Sequence, residues 1–482
     1  MRRRSSSSIS SRNAPIRCRI PMASIPSGSR TCSARSSEGG PLPATQPTAP
    51  RRVSRRYCRI LFTRHTVPST MSAIVPPFRH ATRHLIPTAA LPLLLAACGS
   101  GADTAATWSG TVDTLASGEI VVHNTDDPLW TPEQTWRVVE DLRIGNAMSE
   151  GPDLFGSILS FDVDAWGRVF VLDNQAQEVR IFDSDGSFVR AVGRKGEGPG
   201  EFIQAGSVDL SRNGEIWVMG MSQGRVAIFD TAGTFLRQEP THAGGMVIKP
   251  YPGGFDPTGR YNVELRAGRD RRIARFDQSF GPIDTIAPPE DQEEPEYFEL
   301  VSEDGGGVMR AGVPFQGFMA WRFSRTGTFW TLLTGRYELT EVTTDGNVLR
   351  RVTKDHEPIP VADEEREEAI ERLDWFTSQG GTIDRSKFPG SKPSTTSFFV
   401  DDEGSLWVER TVAFAEMAGE RGGRRFDVFD AEGRFLGTVT LPFALPWSIP
   451  EPIVRDGVLY GVTNDEVGVE YVVRGRIVKP TP

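Results

Sequence analysis

Short runs in which apolar and polar residues alternate follow one another along most of the chain and recur at a fixed interval. Residues 167–202 contain three such runs, GRVFVLD, EVRIFD and SFVRAV, which predict three β-strands joined by tight turns and followed by a glycine-rich segment. The Phe-Asp pair that ends the second run begins at Phe182 and recurs at Phe229 and Phe276, a step of 47 residues each time. A period of this length indicates a repeat architecture, and four-stranded units at this period are typical of propeller blades.

Two series of glycine-centred turns count the repeated units. We predict a turn before the second strand of each unit at Gly167, Gly214, Gly259, Gly327, Gly404 and Gly457, and a turn before the fourth strand at Gly186, Gly233, Gly281, Gly346, Gly433 and Gly475. Glycine suits such turns because it adopts a positive φ without strain. Since both series have six members, the sequence predicts an all-β fold, a six-bladed β-propeller. A β-sandwich with regular hairpins is the alternative, but it does not explain the 47-residue step.

The residues before the first unit predict how the ring closes. Residues 143–167 align with the connection and first strand of the following unit, so 136–145 has the pattern of an outer strand with no blade of its own. We predict that this N-terminal strand completes the last blade, where Gly475–Val478 leaves only a stub, because the pairing removes an exposed sheet edge. Residues 118–124, GEIVVHN, predict a further edge strand, so the propeller is expected to span 118–482.

Charge divides the chain into two very different parts. The first 98 residues hold 16 arginines, no lysine and one acid, Glu38, whereas the rest hold 38 basic and 62 acidic residues, a net charge of −24. A protein that binds nucleic acid needs a basic surface to meet the phosphates. The composition therefore predicts no nucleic-acid partner.

The N-terminal part has the pattern of a leader followed by an export signal. Residues 1–70 are rich in Ser, Arg and Pro without apolar periodicity, which indicates either a transit or twin-arginine leader or an extension upstream of a true start at Met71. From Met71 a basic region precedes the apolar residues 85–97, which are too few to cross a bilayer and are typical of a signal peptide.

The signal ends in Leu95-Ala96-Ala97-Cys98, an aliphatic residue, two small residues and a cysteine. This ending resembles the lipobox of bacterial lipoproteins. The resemblance implies a signal peptide over 71–98, lipidation of Cys98, a flexible tether over 99–117 and a membrane anchor in the cell envelope, in the outer membrane or facing the periplasm. An ordinary cleavage site that happens to precede a cysteine is the alternative. The other three cysteines precede Met71, so the processed chain is predicted to hold neither a disulfide nor a cysteine-bound metal.

The segment that leaves the first unit carries a second resemblance. Residues 196–202, GEGPGEF, resemble the exit of an NHL repeat, and about 135–480 is similar to bacterial six-bladed β-propeller lipoproteins with NHL- or TolB-like blades. The resemblance implies a ligand- or protein-binding scaffold rather than an enzyme. It also places Asp173 where NHL repeats carry an aspartate after the second strand. Because the equivalent residue of the next unit is Gly220, we interpret Asp173 as a turn residue.

Three insertions interrupt the repeats, at 287–316, 353–396 and 409–423. Two of them join successive blades and the third joins second and third strands, and both kinds of connection emerge on one face of a propeller. Loops that vary in length are the usual place for binding residues. Residues 362–377 predict a short helix with Ala369, Leu373 and Phe376 near one face. This helix either packs over the mouth of the ring or acts as a ligand lid.

Residues that could carry catalysis are sparse. The processed chain has only His123, His242 and His356, none at metal-ligand spacing, so we predict no catalytic residue, metal or cofactor. The acidic runs 290–296 and 401–403 are either calcium ligands or solvated loops. We predict a non-catalytic ligand- or protein-binding scaffold. The alternative is a lactonase-like hydrolase or lyase with a divalent cation such as Ca²⁺ in its channel, to which Asp173, Asn174 and Asn464 would contribute.

Basic side chains recur on the connections of the insertion-bearing face. The candidate ligand-binding residues are Arg194, Lys195, Arg271, Arg336 and Arg410, with Arg269 and Arg272 beside them. Guanidinium groups bind carboxylates and phosphates through paired hydrogen bonds, which predicts an anionic small molecule or glycan as ligand. The alternative is that neighbouring acids such as Glu197, Asp270 and Glu409 pair with them, which leaves the face to a protein partner.

Overall fold

The computed structural model describes residues 107–480 apart from 222–223, 242–245, 249–253, 268–269, 303–306, 325, 414–423 and 446–449. The predicted leader, the signal peptide and Cys98 lie outside the described residues. Three strands precede the first blade: β1 (Thr111–Thr114), β2 (Ile120–Asn124) and β3 (Arg137–Ile144). No helix in the described part of the chain is long and apolar enough to cross a membrane.

Six four-stranded antiparallel blades follow, which confirms the predicted six-bladed β-propeller. The first three blades and the parallel pair β8–β9 comprise β4 (Ile158–Val163), β5 (Val169–Asp173), β6 (Glu178–Phe182), β7 (Phe188–Val192), β8 (Arg194–Lys195), β9 (Glu201–Phe202), β10 (Ala205–Leu210), β11 (Ile216–Gly220), β12 (Arg225–Phe229), β13 (Phe235–Pro240), β14 (Met246–Ile248), β15 (Tyr261–Ala267), β16 (Asp270–Phe276) and β17 (Pro282–Ile286).

The second half of the ring contains two inserted regions between its blades. Its elements are β18 (Tyr297–Val301), β19 (Val308–Gly312), β20 (Met319–Phe323), β21 (Phe329–Leu333), β22 (Glu338–Val342), β23 (Val348–Lys354), β24 (Ile359–Pro360), α1 (Asp363–Glu371), α2 (Asp374–Thr377), a 3₁₀ helix (Arg385–Lys387), β25 (Ser391–Lys392), β26 (Thr395–Val400), β27 (Leu406–Arg410), β28 (Arg425–Phe429), β29 (Phe435–Thr440), β30 (Ile453–Arg455), β31 (Val458–Asn464) and β32 (Glu470–Val478). The blades are β4–β7, β10–β13, β14–β17, β20–β23, β26–β29 and β30–β32 with β3.

The second strand of a blade is apolar on both sides because each blade is packed between two others. Every residue of β5, β11 and β21 is buried, which explains why VFVLD, IWVMG and FWTLL are near-continuous apolar runs. The core therefore lies between blades. Phe170 and Leu172 of the first blade, for example, pack with Val208 and Val218 of the second.

Ten of the twelve predicted turn glycines have a positive φ, between 72° and 88°. At Gly281 the preceding Phe280 has the positive φ instead, 62°. The prediction for Gly475 is wrong, because this residue lies inside β32, opposite Leu459 and Glu140. A Cβ at this position would lie 2.4 Å from Val138 Cγ1, so glycine allows the closing strand to approach. The last blade consequently has a continuous nine-residue third strand rather than a stub.

The ring closes as predicted. Strand β3 pairs antiparallel with β32, from Arg137 opposite Val478 to Ile144 opposite Val472, and forms the outer strand of the last blade. The pairing joins the N-terminal and C-terminal parts of the propeller and covers the free edge of β32.

The strands before β3 continue around the outside of the ring. Strand β2 pairs parallel with β23 of the fourth blade, and β1 pairs antiparallel with β2. The Trp130 N–H then donates to the Leu436 carbonyl of the fifth blade at 2.8 Å. Residues 107–144, called the outer belt below, thus follow the outer edges of the fourth, fifth and sixth blades in turn. The predicted flexible tether over 99–117 is corrected at Thr111–Thr114, which forms β1 and pairs with its neighbour.

Candidate binding face

The connections between blades and those between second and third strands lie on one face of the ring, and this face bears the insertions. Residues 287–302, 307–316 and 355–394 form what we call the cap, which stands on either side of the fourth blade. The strand pair β18–β19 from the first insertion packs against the helices of the second. Their shared apolar core consists of Phe298, Ala311, Val313, Ala369, Leu373, Phe376 and Phe388. Two insertions that are far apart in sequence therefore form one folded unit.

The helical segment of the cap agrees with the predicted short helix but is divided in two. Helix α1 ends at Glu371 and α2 begins at Asp374, and Ala369, Leu373 and Phe376 face the cap core as expected. Acidic residues occupy the first turn of α1, where the helix dipole stabilises them. Glu365 in that turn accepts the Ala362 N–H at 3.1 Å and the Lys392 ammonium at 2.7 Å.

The cap is joined to the ring by hydrogen bonds to the fourth blade. The N–H and the hydroxyl group of Ser394 donate to the Thr334 carbonyl at 3.0 and 2.9 Å. The third insertion begins after β27, and its residues 414–423 lie outside the described residues.

The outward surface of the cap is partly apolar. Side chains alternate along β18 and β19, so Phe298 and Leu300 face the helices while Tyr297 and Val301 face away from them. Val308, opposite Val301, is exposed as well. On α2 the side chain of Trp375 is 48% exposed. Aromatic residues of this kind are enriched in protein–protein interfaces.

Four of the five candidate basic residues are paired with carboxylates. Arg194 lies 2.7 Å from Glu201, Arg271 lies 3.0 Å from Glu264, Arg336 lies 3.6 Å from Glu293 and Arg410 lies 3.7 Å from Asp427. Lys195 is exposed on β8. Arg269, two residues before Arg271 in the sequence, lies outside the described residues. Among the described residues, no hydrogen bond or ion pair unites these side chains around a common point. Their role in binding a ligand stays a prediction.

A buried polar network lies at the seam between the fourth and fifth blades. Asp427 is fully buried and accepts the hydroxyl groups of Tyr337 and Thr438, each at 2.6 Å. The ammonium group of Lys354, also buried, lies 3.6 Å from Asp427 and contacts Asp126 of the outer belt. Because each buried charge has a partner of opposite sign, the network joins the two blades and the outer belt without an isolated buried charge.

Asp173, which the lactonase-like alternative would place in a metal site, is used by the turn after its own strand. Its carboxylate accepts the N–H groups of Gly156, Gln175 and Ala176, each at 3.0 Å, and lies 3.2 Å from Arg180. These contacts agree with the turn role. Within the described ranges, no three His, Cys, Asp or Glu side chains are grouped closely enough to hold a metal ion.

An open cavity of about 470 Å³ lies on the same face, at the seam between the sixth and first blades. Its walls come from the connection between β3 and β4, the β5–β6 turn and the β31–β32 turn. Leu154, Phe155, Ala176, Val467 and Val469 supply the apolar part of the wall, and Asp173, Gln175, Arg180 and Glu470 supply the polar part. In a six-bladed ring this seam lies across from the cap.

Sequence reasoning missed this cavity, although one signal for it was present. Arg180 lies in the middle of β6, where a step of 47 residues gives Ala227 in the second blade and Ala274 in the third. A buried arginine in place of alanine breaks the repeat. Its guanidinium Nε donates to Glu178 at 2.8 Å and its Nη1 donates to the carbonyl groups of Pro152 and Leu154. The repeat alone therefore marks Arg180 as an exception, but only the structure shows the cavity beside it.

Comparison with known proteins agrees with the fold. Residues 154–243 match the family model DUF5128, described as a 6-bladed beta-propeller. A search of curated proteins gave no significant match.

Solved structures with a similar chain course include a putative exported protein from Bacteroides fragilis, 12% identical, covering 74% of this chain and 100% of that chain with a TM-score of 0.41. A member of the duf4221 family from Bacteroides vulgatus is 12% identical and covers 72% of this chain and 99% of that chain with a TM-score of 0.42. A catalytically inactive virginiamycin B lyase from Staphylococcus aureus is 9% identical and covers 71% of this chain and 100% of that chain with a TM-score of 0.38.

Proposed function

We propose that this six-bladed propeller is a non-catalytic binding scaffold of the bacterial cell envelope, anchored through a lipid on Cys98, and that it binds a protein partner with its cap-bearing face. The cap carries this proposal. Two separate blade connections have been extended until they share an apolar core, whereas the connections of the opposite face are short turns except between β14 and β15, where the connection spans 249–260. The longest connections, and the two that fold together, thus lie on one face, and loops that vary in length are the usual place for binding residues.

The chemistry of the cap favours a protein over an anionic small molecule. Tyr297, Val301, Val308 and Trp375 present apolar and aromatic surface outwards. The guanidinium groups that would bind an anion are paired with carboxylates, so an anion would have to displace Glu201, Glu264, Glu293 or Asp427. Displacement of this kind lowers the affinity expected for an anion, while a protein partner can bind to the apolar surface.

Two exposed tryptophans on opposite faces make the test of this proposal direct. Trp375 lies on the cap, and Trp166, 74% exposed, lies in the turn between β4 and β5 on the other face. A photo-crosslinking amino acid is placed at one or the other position in the envelope of a bacterium with the lipoprotein pathway. We expect discrete crosslinked species, competed by excess unlabelled protein, from position 375 and none from position 166. Equal crosslinking from both positions, or none from either, would contradict the proposal.

The anchor is tested separately from the face. In the same host, we expect a palmitate analogue to label the wild type and the membrane fraction to contain it, while Cys98→Ala is unlabelled and soluble. Labelling or membrane association that survives this substitution would remove the lipid anchor from the proposal and leave the face test unaffected.

A further inference from the structure

The cavity at the seam between the sixth and first blades has an unbalanced charge. Among the residues that line it, Arg180 is the one cation, and its guanidinium group contacts Asp173 in the wall and Glu178, which is not part of the wall. The other carboxylate of the wall, Glu470, lies on the opposite side, on the strand that follows the β31–β32 turn. The wall therefore holds two carboxylates and one guanidinium group, and that guanidinium group is also paired with Glu178.

Glu470 also has hydrogen-bonding capacity to spare. Its Oε2 accepts the N–H of Ile158, and within the described residues no hydrogen bond or ion pair reaches its Oε1. Arg180, in contrast, has committed four of its five donors to Glu178, Asp173 and two backbone carbonyl groups. Of the charged groups in the wall, the cavity thus offers a free carboxylate oxygen on Glu470 and only one uncommitted guanidinium donor on Arg180.

From this arrangement we propose that the cavity binds an organic ammonium group carried on an apolar stem. The ammonium group would donate to Glu470 Oε1, and the stem would lie against Leu154, Phe155 and Val467. An anion is disfavoured because it would meet the carboxylates of Asp173 and Glu470 and a guanidinium group that is already paired. The volume, about 470 Å³, lies within the range of small-molecule sites.

The inference rests on the proposed binding function, for which it specifies one ligand on the same face. The ammonium group can come from a free amine or from a lysine of a protein partner. Crosslinking from the cap at position 375 does not involve this cavity, which lies across the ring. Failure of one test is therefore distinguishable from failure of the other.

The test is a calorimetric titration of the purified full chain at low ionic strength. The probes are hexylammonium against 1-hexanol and hexanoate, and a blocked leucine-rich peptide with one lysine against its norleucine counterpart. We expect at least one ammonium probe to bind about tenfold or more tightly than its uncharged counterpart, as a charge-assisted hydrogen bond requires. Binding of hexylammonium alone indicates a free amine, and binding of the lysine peptide alone indicates a residue of a partner.

Two substitutions make the assignment to Glu470 falsifiable. Glu470→Gln keeps an acceptor for the Ile158 N–H but removes the charge. We expect this substitution to lower the affinity for the ammonium probe about tenfold or more. Val467→Lys, at a residue that is 82% exposed, adds a positive charge at the mouth without disturbing the core and should weaken binding as well. Glu432→Gln, in an exposed turn of the opposite face, is the matched control and should bind like the wild type.

The proposal is overturned if neither ammonium probe surpasses its uncharged counterpart, or if Val467→Lys and a folded Glu470→Gln bind the ammonium probe as the wild type does. Circular dichroism and the melting temperature establish whether Glu470→Gln is folded. If it is not, Val467→Lys decides.

Discussion

The hydroxyl group of Tyr337 on the fourth blade donates a 2.6 Å hydrogen bond to the fully buried carboxylate of Asp427 on the fifth. This bond crosses the seam between two blades that are otherwise joined mainly by apolar packing. The Lys354 ammonium lies 3.6 Å from the same carboxylate. A buried charge of this kind is stable only while its partners stay in place, so the seam depends on each of them.

We expect Tyr337→Phe to lower the free energy of unfolding by about 1–3 kcal/mol, because it leaves Asp427 with one hydrogen bond fewer in a buried site. The substitution keeps the aromatic ring of residue 337, so the packing of this side chain against Phe429, with ring centroids 6.2 Å apart, should persist. Urea denaturation measures the change. Tyr297→Phe, on the exposed side of the cap, is the matched control and should change the midpoint little. A Tyr337→Phe variant as stable as this control would show that the bond contributes nothing.

The same hydroxyl group makes stability depend on alkaline pH. Burial, with Asp427 nearby, raises the pKa of Tyr337 well above 10, and burial beside Asp209 raises the pKa of Tyr261 likewise. Above pH 10 the unfolded chain loses these protons and the folded chain keeps them. The stability is therefore complete below about pH 10 and falls above it, by about 1.4 kcal/mol per pH unit for each tyrosine.

Urea midpoints measured from pH 9 to pH 11.5 give this slope. We expect Tyr337→Phe to have a shallower fall above pH 10 than the wild type, since one of the two buried hydroxyl groups is absent. Identical slopes would contradict the assignment.

The architecture was predictable because its signals are local. A glycine turn or an alternating run is encoded within a few residues, and repetition made the count of blades independent of any single one. The position of β2 was not predictable in this way. It depends on Asn124, whose amide donates to the carbonyl groups of Thr353 and Gly433 and whose Oδ1 accepts the N–H of Phe435. These partners are more than 200 residues away in sequence, and nothing in GEIVVHN selects them.

Contacts between residues distant in sequence were even harder to predict at the candidate site. The two insertions were recognised by their length, but their apolar residues gave no sign that Phe298 and Phe376 share one core. The basic residues were recognised by type, and the carboxylates that pair with them lie on other strands or other connections. Glu264, for example, contacts Arg271 across the β15–β16 pair. Pairing of charges is decided by three-dimensional proximity, which a single sequence does not give.

The closing strand and the rest of the outer belt should contribute differently to stability. A version beginning at residue 127 lacks β1 and β2 but keeps β3, whereas a version beginning at 150 also lacks β3 and its seven residue pairs with β32. We expect the first to melt at a lower temperature than the full chain, and the second to melt much lower still or to aggregate, because its ring is open and the β32 edge is exposed. Melting curves and size-exclusion chromatography measure both effects. If the version from 150 were as stable as the version from 127, the pairing of β3 with β32 would not be what closes the ring.

Calcium should leave the stability unchanged if the scaffold has no metal-dependent activity. In the acidic turn 401–403, Asp401 accepts the N–H groups of Glu403 and Ser405, Asp402 accepts the Asp456 N–H, and Glu403 pairs with Lys479. The carboxylates are thus occupied by the protein itself. A site holding Ca²⁺ at a hundred times its dissociation constant would add about 2.7 kcal/mol.

The measurement compares unfolding midpoints in millimolar Ca²⁺ and in a chelator, with Mg²⁺ as the control for ionic strength. We expect equal midpoints. A rise specific to Ca²⁺ would favour the hydrolase or lyase alternative over the binding scaffold.

The last prediction concerns the basic residues of the cap-bearing face. Replacement of Arg194, Arg271 and Arg336 by alanine together removes three guanidinium groups that lie 2.7, 3.0 and 3.6 Å from carboxylates. The matched control replaces Arg212, Arg260 and Arg434, which lie in or beside the tight turns of the opposite face. Citrate, phosphate and oligomeric uronates are then screened by thermal shift against both variants and the wild type.

We expect each anion to shift the melting temperature of all three proteins by the same amount. The guanidinium groups are already paired with carboxylates, so an anion gains little when it exchanges its hydrogen bonds to water for hydrogen bonds to them. Exposed ion pairs also contribute little to stability, and the side chains of Arg194 and Arg336 are 79% and 65% exposed, so these two replacements should change the melting temperature little. Arg271 lies beside the buried Glu264, which keeps its 2.7 Å contact with Arg266, so a loss of stability in the triple variant should come from this position. An anion that stabilises the wild type and the control but not the Arg194, Arg271 and Arg336 variant would reverse this expectation. It would establish these arginines as a binding site and make an anionic ligand, rather than the surface of a protein, the natural occupant of the face.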